Sequence, residues 1–254
     1  MYKIFSPAKL AMIVMALAIV ACAVGAPEPT ATPVPTNTPL PTNTPEPTAT
    51  PTDVPTPTAT PNLAATQQAE DLMAMLRNLM DKGYIADTAG EAIYLDDFKT
   101  DWAQINYYNW YEIRDKPIAD FVFSGHFNWS TASATPDVSG CGIGFGLQEN
   151  GDHYAVFLDK SRILFQMGRG RYSYNVGVTK GSGRMSFDNP AEADFILAVR
   201  GQKAYVGVNG TFIEYTLSTD QTSAGYFAYS VLSGTNSGYG TRCQMTDMLL
   251  WTPK

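Results

Sequence analysis

Residues 141–158 read CGIGFGLQENGDHYAVFL, two runs of alternating apolar residues around a single Asn-Gly pair. Cys141, Ile143, Phe145 and Leu147 alternate with Gly142, Gly144 and Gly146, a period of two that lets an extended strand bury one face. Asn150-Gly151 tolerates positive φ at both central positions of a type I′ turn, so the stretch predicts a β-hairpin. Counted from that turn, Leu147 faces Tyr154, Phe145 faces Val156 and Ile143 faces Leu158 on an apolar side. The opposite side pairs Gly146 with Ala155, Gly144 with Phe157 and Gln148 with His153. One face is core; the other is a nearly bare floor of glycines beside one aromatic ring. Two uses fit that floor. A flat sugar ring can rest on Gly142, Gly144, Gly146 and Phe157, rimmed by Gln148 and His153, or the glycines can admit the close approach of a second sheet or a helix.

The same alternation runs outward from the hairpin. Residues 119–129 place Phe121, Phe123, Phe127 and Trp129 on one side, with Val122, Ser124, His126 and Asn128 on the other. Strands are predicted over 91–98, 105–113, 162–167, 171–178, 225–231 and 242–251. Residues 194–217 form a meander turned at Gly201-Gln202 and Asn209-Gly210. Its turns set Val199 against Ala204, Leu197 against Val206 and Phe195 against Val208, and bring Ile213 and Tyr215 to the same face. About a dozen strands of this pattern predict an all-β, two-sheet antiparallel sandwich over residues 86–254, larger than an immunoglobulin-type domain.

The opening LDDF with Trp102, the segment GIGFGLQENGDHYAVFLD, the meander VRGQKAYVGVNGTFIEY and the closing CQMTDMLLW resemble the concanavalin A-like lectin/glucanase superfamily, above all its laminin G-like and 3-keto-disaccharide hydrolase-like branches. The resemblance spans residues 91–251. It implies a curved jelly roll whose concave face, in many members, receives carbohydrate. Fold does not fix function.

Chemistry is sparse along this chain. Retaining glycosidases of that superfamily present carboxylates along one strand as Glu-x-Asp-x-x-Glu, because acid and nucleophile flank one bond about 5–5.5 Å apart. Glu192-Ala193-Asp194 begins such a pattern, but Leu197 stands where the second glutamate belongs. His126 and His153 are the only histidines, and neither lies in a nucleophile motif. Asp96, Asp97 and Asp247 offer hard oxygens to a Ca²⁺ ion if the first and last strands are neighbours, although acidic turn residues are the commoner explanation. No catalytic residue, metal or cofactor is assigned. Tyr107, Tyr108, Trp110, Tyr111, Trp129, Tyr172, Tyr174, Tyr226 and Tyr229 divide between core and any glycan platform, and alternation does not say which is which.

The N-terminal part gives an address. Lys3 and Lys9 precede an apolar run from Leu10 to Ala21, too short to span a bilayer and the size of a secretory h-region, so residues 1–21 read as a signal peptide. The run ends Ile19-Val20-Ala21-Cys22, which looks like a bacterial lipobox with Cys22 as the acylated residue. Residues 22–61, rich in Pro and Thr, exclude a core and form a stalk. As polyproline II, residues 26–61 reach up to ~110 Å from the membrane. Residues 62–83 predict a helix capped by Asn62 and closed by Gly83, with Ala65, Ala69, Leu72, Met73, Leu76, Leu79 and Met80 on one stripe.

With Cys22 taken for lipid, Cys141 and Cys243 remain as a disulfide pair or as two buried thiols. The chain carries a net charge of −7, and the 17 basic residues less Lys3 and Lys9 against 24 acidic ones leave −9 after cleavage. That charge argues against a nucleic-acid partner. The expectation is an extracytoplasmic, lipid-anchored module that binds a polysaccharide or cell-surface glycan without cleaving it, with a glycoside or keto-disaccharide hydrolase as the alternative.

Overall fold

The computed structural model describes residues 63–113, 116–133, 138–159, 162–180 and 189–254; the expected signal segment, Cys22, the stalk and the Asn62 cap lie outside the described residues. One helix, α1 (Leu63–Asp81), precedes β1 (Gly90–Leu95), β2 (Phe98–Trp102), β3 (Tyr107–Glu112), β4 (Phe121–Thr131), β5 (Gly140–Leu147) and β6 (His153–Leu158). There follow β7 (Arg162–Arg169), β8 (Tyr172–Lys180), β9 (Ala191–Arg200), β10 (Lys203–Val208), β11 (Thr211–Thr216), β12 (Tyr226–Ser233) and β13 (Thr241–Pro253). The first sheet runs β1-β13-β4-β9-β10-β11, with β2 also on β13, and the second runs β3-β12-β5-β6-β7-β8. All pairs between these strands are antiparallel, which makes the two-sheet sandwich that the alternation predicts.

The core lies between the sheets. Phe123, Phe127, Phe195 and Leu197 from the first meet Ile143, Phe145, Val156 and Phe227 from the second, all fully buried. Phe127 stacks on Phe195 at 4.7 Å and Phe145 on Tyr154 at 5.3 Å between centroids. Cys141 of β5 and Cys243 of β13 form a disulfide that bridges the two sheets, with Cα atoms 5.5 Å apart.

Sequence and structure agree closely in the meander and diverge in the hairpin. Val199, Leu197 and Phe195 pair with Ala204, Val206 and Val208, and Ile213 and Tyr215 follow on β11. There both turns contain two residues, so counting from them works. In the hairpin, Phe145 pairs with Tyr154, Ile143 with Val156 and Gly142 with Phe157, two residues away from the expected register. The turn is longer than a two-residue type I′. Gln148 N–H bonds Asp152 O and Gly151 N–H bonds Gln148 O, both at 2.9 Å, so Glu149, Asn150 and Gly151 form the loop. Gly146, at φ 62°, takes up one further residue, a conformation that a side chain would strain. A shift of two leaves residues 141–145 and 154–158 on their expected faces, but the extra residue at Gly146 turns Leu147 to the outward side, 3.4 Å from where a Gly144 Cβ would stand.

The opening strand is also two strands. β1 pairs with the second half of β13 and β2 with the first, with Asp96-Asp97 between them opposite an irregularity at Thr246–Leu249, where Asp247 has φ 52°. Helix α1 closes as Gly83 predicts: Tyr84 N–H bonds Leu79 O at 2.9 Å and Gly83 N–H bonds Met80 O at 2.8 Å. Leu76, Leu79 and Ile85 pack on Val122, Ala198 and Trp251, the outward side of the first sheet, and Tyr84 stacks on Tyr205 at 4.1 Å. Only part of the expected stripe is used, for Ala65, Ala69 and Met80 are exposed.

Candidate functional site

The outward side of the second sheet holds the expected glycine floor, and the floor is already filled. Gly142, Gly144 and Gly146 are buried. Phe157 is completely buried, and a Cβ placed on Gly142 would lie 2.4 Å from its Cδ1, so the ring of Phe157 occupies the space that the missing side chain leaves. Ala155, Leu164, Leu232 and Tyr108 complete that packing. Gly146 is closed off by the backbone of Ser223, 2.9 Å from where its Cβ would stand. His153 is 5% exposed and lies over Gly168 in the same way. The expected sugar-stacking surface is therefore corrected. Gly142, Gly144, Gly146, Phe157 and His153 form an inner layer, because a buried ring has no free face to offer, and Gln148 alone of the six reaches an open cleft.

Within this layer sits an ordered polar pair. Tyr108 Oη lies 2.5 Å from His153 Nε2, and His153 Nδ1 lies 2.8 Å from Gly151 O. A carbonyl only accepts, so Nδ1 carries the proton and Nε2 accepts from the tyrosine hydroxyl. Burial holds His153 below its ordinary pKa, opposed by the Gly151 carbonyl and by Asp152. Burial likewise pushes Tyr108 up to about 12, opposed by a hydrogen bond with Ser173. A neutral imidazole and an intact phenol brace one another, and the Gln221 amide fixes the His153 carbonyl at 2.8 Å. Trp110 stands edge-on to His153 at 4.6 Å and tilted against Tyr108 at 5.9 Å, so the pair sets its position.

Trp110 is where this layer meets solvent. Its indole is 37% exposed and forms one wall of a cleft of about 330 Å³, lined also by Tyr226, Leu147, Gln148, Glu149, Gly151 and Asp152. The longer turn builds the opposite wall. Gln148 is oriented by its amide nitrogen, which donates to Gly146 O at 3.1 Å and Ala224 O at 2.5 Å. Asp152 is fixed through both oxygens: Oδ1 accepts from Gly170 N–H at 3.0 Å and Oδ2 from the Asn150 amide at 3.1 Å. Glu149 is exposed at the end of the turn. An aromatic wall facing amide and carboxylate groups can hold a polar ring through one apolar face and its edge hydroxyls.

The remaining candidates are scattered. His126 Nδ1 sits 2.9 Å from Asp194 Oδ1 and its Nε2 4.0 Å from Glu192, all on the outward side of the first sheet, while Leu197 is buried in the core. Asp97, between β1 and β2, and Asp247 of the neighbouring β13 line a cleft of about 450 Å³ with Asp71 of α1. Among the described residues no three acidic, histidine or cysteine groups are arranged to hold a metal ion. Of the aromatics, Trp129 and Tyr229 are core, and Tyr107, Tyr172 and Tyr174 are exposed. Trp110 and Tyr226 stand among the nine aromatics that sequence leaves undivided between core and platform, and Glu149 and Asp152 are not singled out at all. The β3–β12–β5 register that sets Trp110 beside Ser230 and Gly142 is a long-range pairing with no local signal.

No family model and no curated protein matches this chain. Solved structures similar to it include a carbohydrate binding module from Bacillus subtilis, at TM-score 0.45 and 9% identity over 62% of this chain and 92% of that one. Sheep galectin-11 in complex with glycerol gives 0.37 and 9% over 59% and 99%, and a Bacillus licheniformis β-glucanase 0.42 and 7% over 55% and 69%. At scores this low none of them transfers a site or an activity.

Proposed function

We propose that this chain is an exported, lipid-anchored module that binds carbohydrate in the Trp110 cleft and does not cleave it. The observation that carries this is an exposed indole, braced from behind by Tyr108 and His153, opposite an amide and two carboxylates in one open cleft. Sugars are held by such a combination of a flat apolar wall and a hydrogen-bonding rim. Binding is favoured over hydrolysis because both oxygens of Asp152 accept hydrogen bonds, from Gly170 N–H and the Asn150 amide, which among the described residues leaves Glu149 without a second unpaired carboxylate in the cleft. The lipid anchor rests on Ile19–Cys22 and the Pro/Thr-rich stretch, which supply attachment and reach.

A glycan array with the purified full chain tests binding. Trp110→Ala is expected to weaken any hit by about thirtyfold, the loss of a central aromatic anchor, with little change in melting temperature. A silent array, or a hit indifferent to Trp110→Ala, overturns the proposal; turnover of a bound glycan that Glu149→Gln abolishes replaces it with an enzyme. For the anchor, Cys22→Ser should move the protein from the membrane to the soluble fraction. A variant that still sediments with membranes, beside a wild type without acyl mass, refutes it.

A further inference from the structure

We propose that the glycan suited to this cleft carries protonated amines, a polymer of 2-amino-2-deoxy sugars rather than a polyuronate or a neutral chain. This rests on the cleft being a carbohydrate site. Among the described residues its lining contains two acidic side chains and no Lys, Arg or His. The two carboxylates differ. Asp152 is satisfied by Gly170 N–H and the Asn150 amide, whereas Glu149 is exposed and, among the described residues, has no hydrogen-bond or ion-pair partner. Arg169 and Arg171 flank Gly170, whose N–H bonds Asp152, yet neither lines the cleft.

A uronate placed on Trp110 would bring a negative charge against Glu149 and Asp152 with no counter-charge in the lining. An acetylated or simple neutral sugar can give Glu149 only a hydroxyl hydrogen bond, without charge pairing. An ammonium at C2 of a ring lying on the indole gains on both sides, pairing with Glu149 and lying within reach of the π-system of Trp110. The turn length matters here, since the three-residue loop carries Glu149 beyond the end of β5 to the cleft rim.

The test is calorimetry of the full chain, at a pH where the amine is charged, against four oligomers of equal length: glucosamine, N-acetylglucosamine, glucose and guluronate. The glucosamine oligomer is expected to bind about tenfold tighter than the two neutral ones, and the guluronate oligomer weakest. High salt should shrink the gap, and Glu149→Gln should close it by lowering the affinity for the glucosamine oligomer far more than that for the neutral oligomers. Equal affinity for charged and neutral oligomers, a preference for guluronate, or equally tight binding of oligolysine overturns the charge assignment and leaves the cleft a carbohydrate or cation site of another kind. No binding of any oligomer overturns the carbohydrate assignment itself, and this inference with it.

Discussion

The sandwich has two outward faces, and the chain covers them by different means. On the first sheet a separate element does it: α1 lays Leu76 and Leu79 on Val122, Ala198 and Trp251. On the second sheet the strands cover themselves, by leaving Gly142 and Gly168 bare and folding the rings of Phe157 and His153 into those spaces. The helix and the turn after it finish their face with apolar packing, the stack of Tyr84 on Tyr205 included. Self-covering leaves polar atoms inside the layer, the Tyr108–His153 pair among them, and an aromatic at its margin, Trp110, that faces solvent. The difference teaches that an inert cover is best made by an added element, whereas a cover made of rings and polar groups can double as the back wall of a cleft.

Three variants bear on that contrast. Phe157→Ala should cost about 3–5 kcal/mol in a urea titration, since it empties a site flanked by glycines that have nothing to collapse with; a loss well under 1 kcal/mol would mean that the face is open and Phe157 is available to ligands after all. Leu79→Ala should cost about 2–3 kcal/mol, toward the low end for buried leucine because the helix lies at one side of the domain. Hydrogen exchange should then report α1 opening before the sheets, and simultaneous loss of both would refute the view of the helix as an added cover.

The smallest effect is that of pH. His153 titrates below its ordinary 6.5 in the folded chain, so as pH falls the unfolded chain takes up the proton first. Its contribution to stability is complete above pH 6.5 and declines as pH drops below it toward the folded value. His153→Gln should flatten that decline in urea titrations between about pH 7 and pH 5. A variant that follows the wild-type curve would show that the imidazole is solvated and the inner layer less tight than its burial indicates.

How far the sequence alone reaches depends on the range of the interaction being read. The meander is legible because Gly201-Gln202 and Asn209-Gly210 are two-residue turns, and local geometry then fixes three strands. Gly83 likewise announces its helix end. The hairpin is legible in its faces but not in its register, because Asn150-Gly151 also fits a longer loop and Gly146 hides a second irregularity. The glycines of β5 look identical in sequence whether they await a ligand or a neighbouring ring; Phe157 fills the space from the adjacent strand, and only the register tells which glycine it covers. Trp110 is not told apart from the other aromatics for a related reason. It sits among Tyr107, Tyr108 and Tyr111, and its exposure depends on β3 being an edge strand of the second sheet.

The position of β13 bears on how the domain comes into being. It follows every other strand of the sandwich in the chain, yet it lies between β4 on one side and β1 and β2 on the other, and it supplies Cys243 to the bridge between the sheets. A polypeptide made from its N-terminus therefore leaves β1 and β2 without their β13 partner and one edge of β4 open until residues 241–253 arrive. Long-range pairings of this kind are slow to form, so the nascent domain spends its waiting time with unpaired edges, the condition in which β-rich chains aggregate. The low net positive content and the acidic balance of the chain help keep it apart from its copies during that interval. A ribosome-bound fragment ending before residue 241 should be readily digested by protease, and one extended past residue 254 by enough linker to clear the exit tunnel should resist.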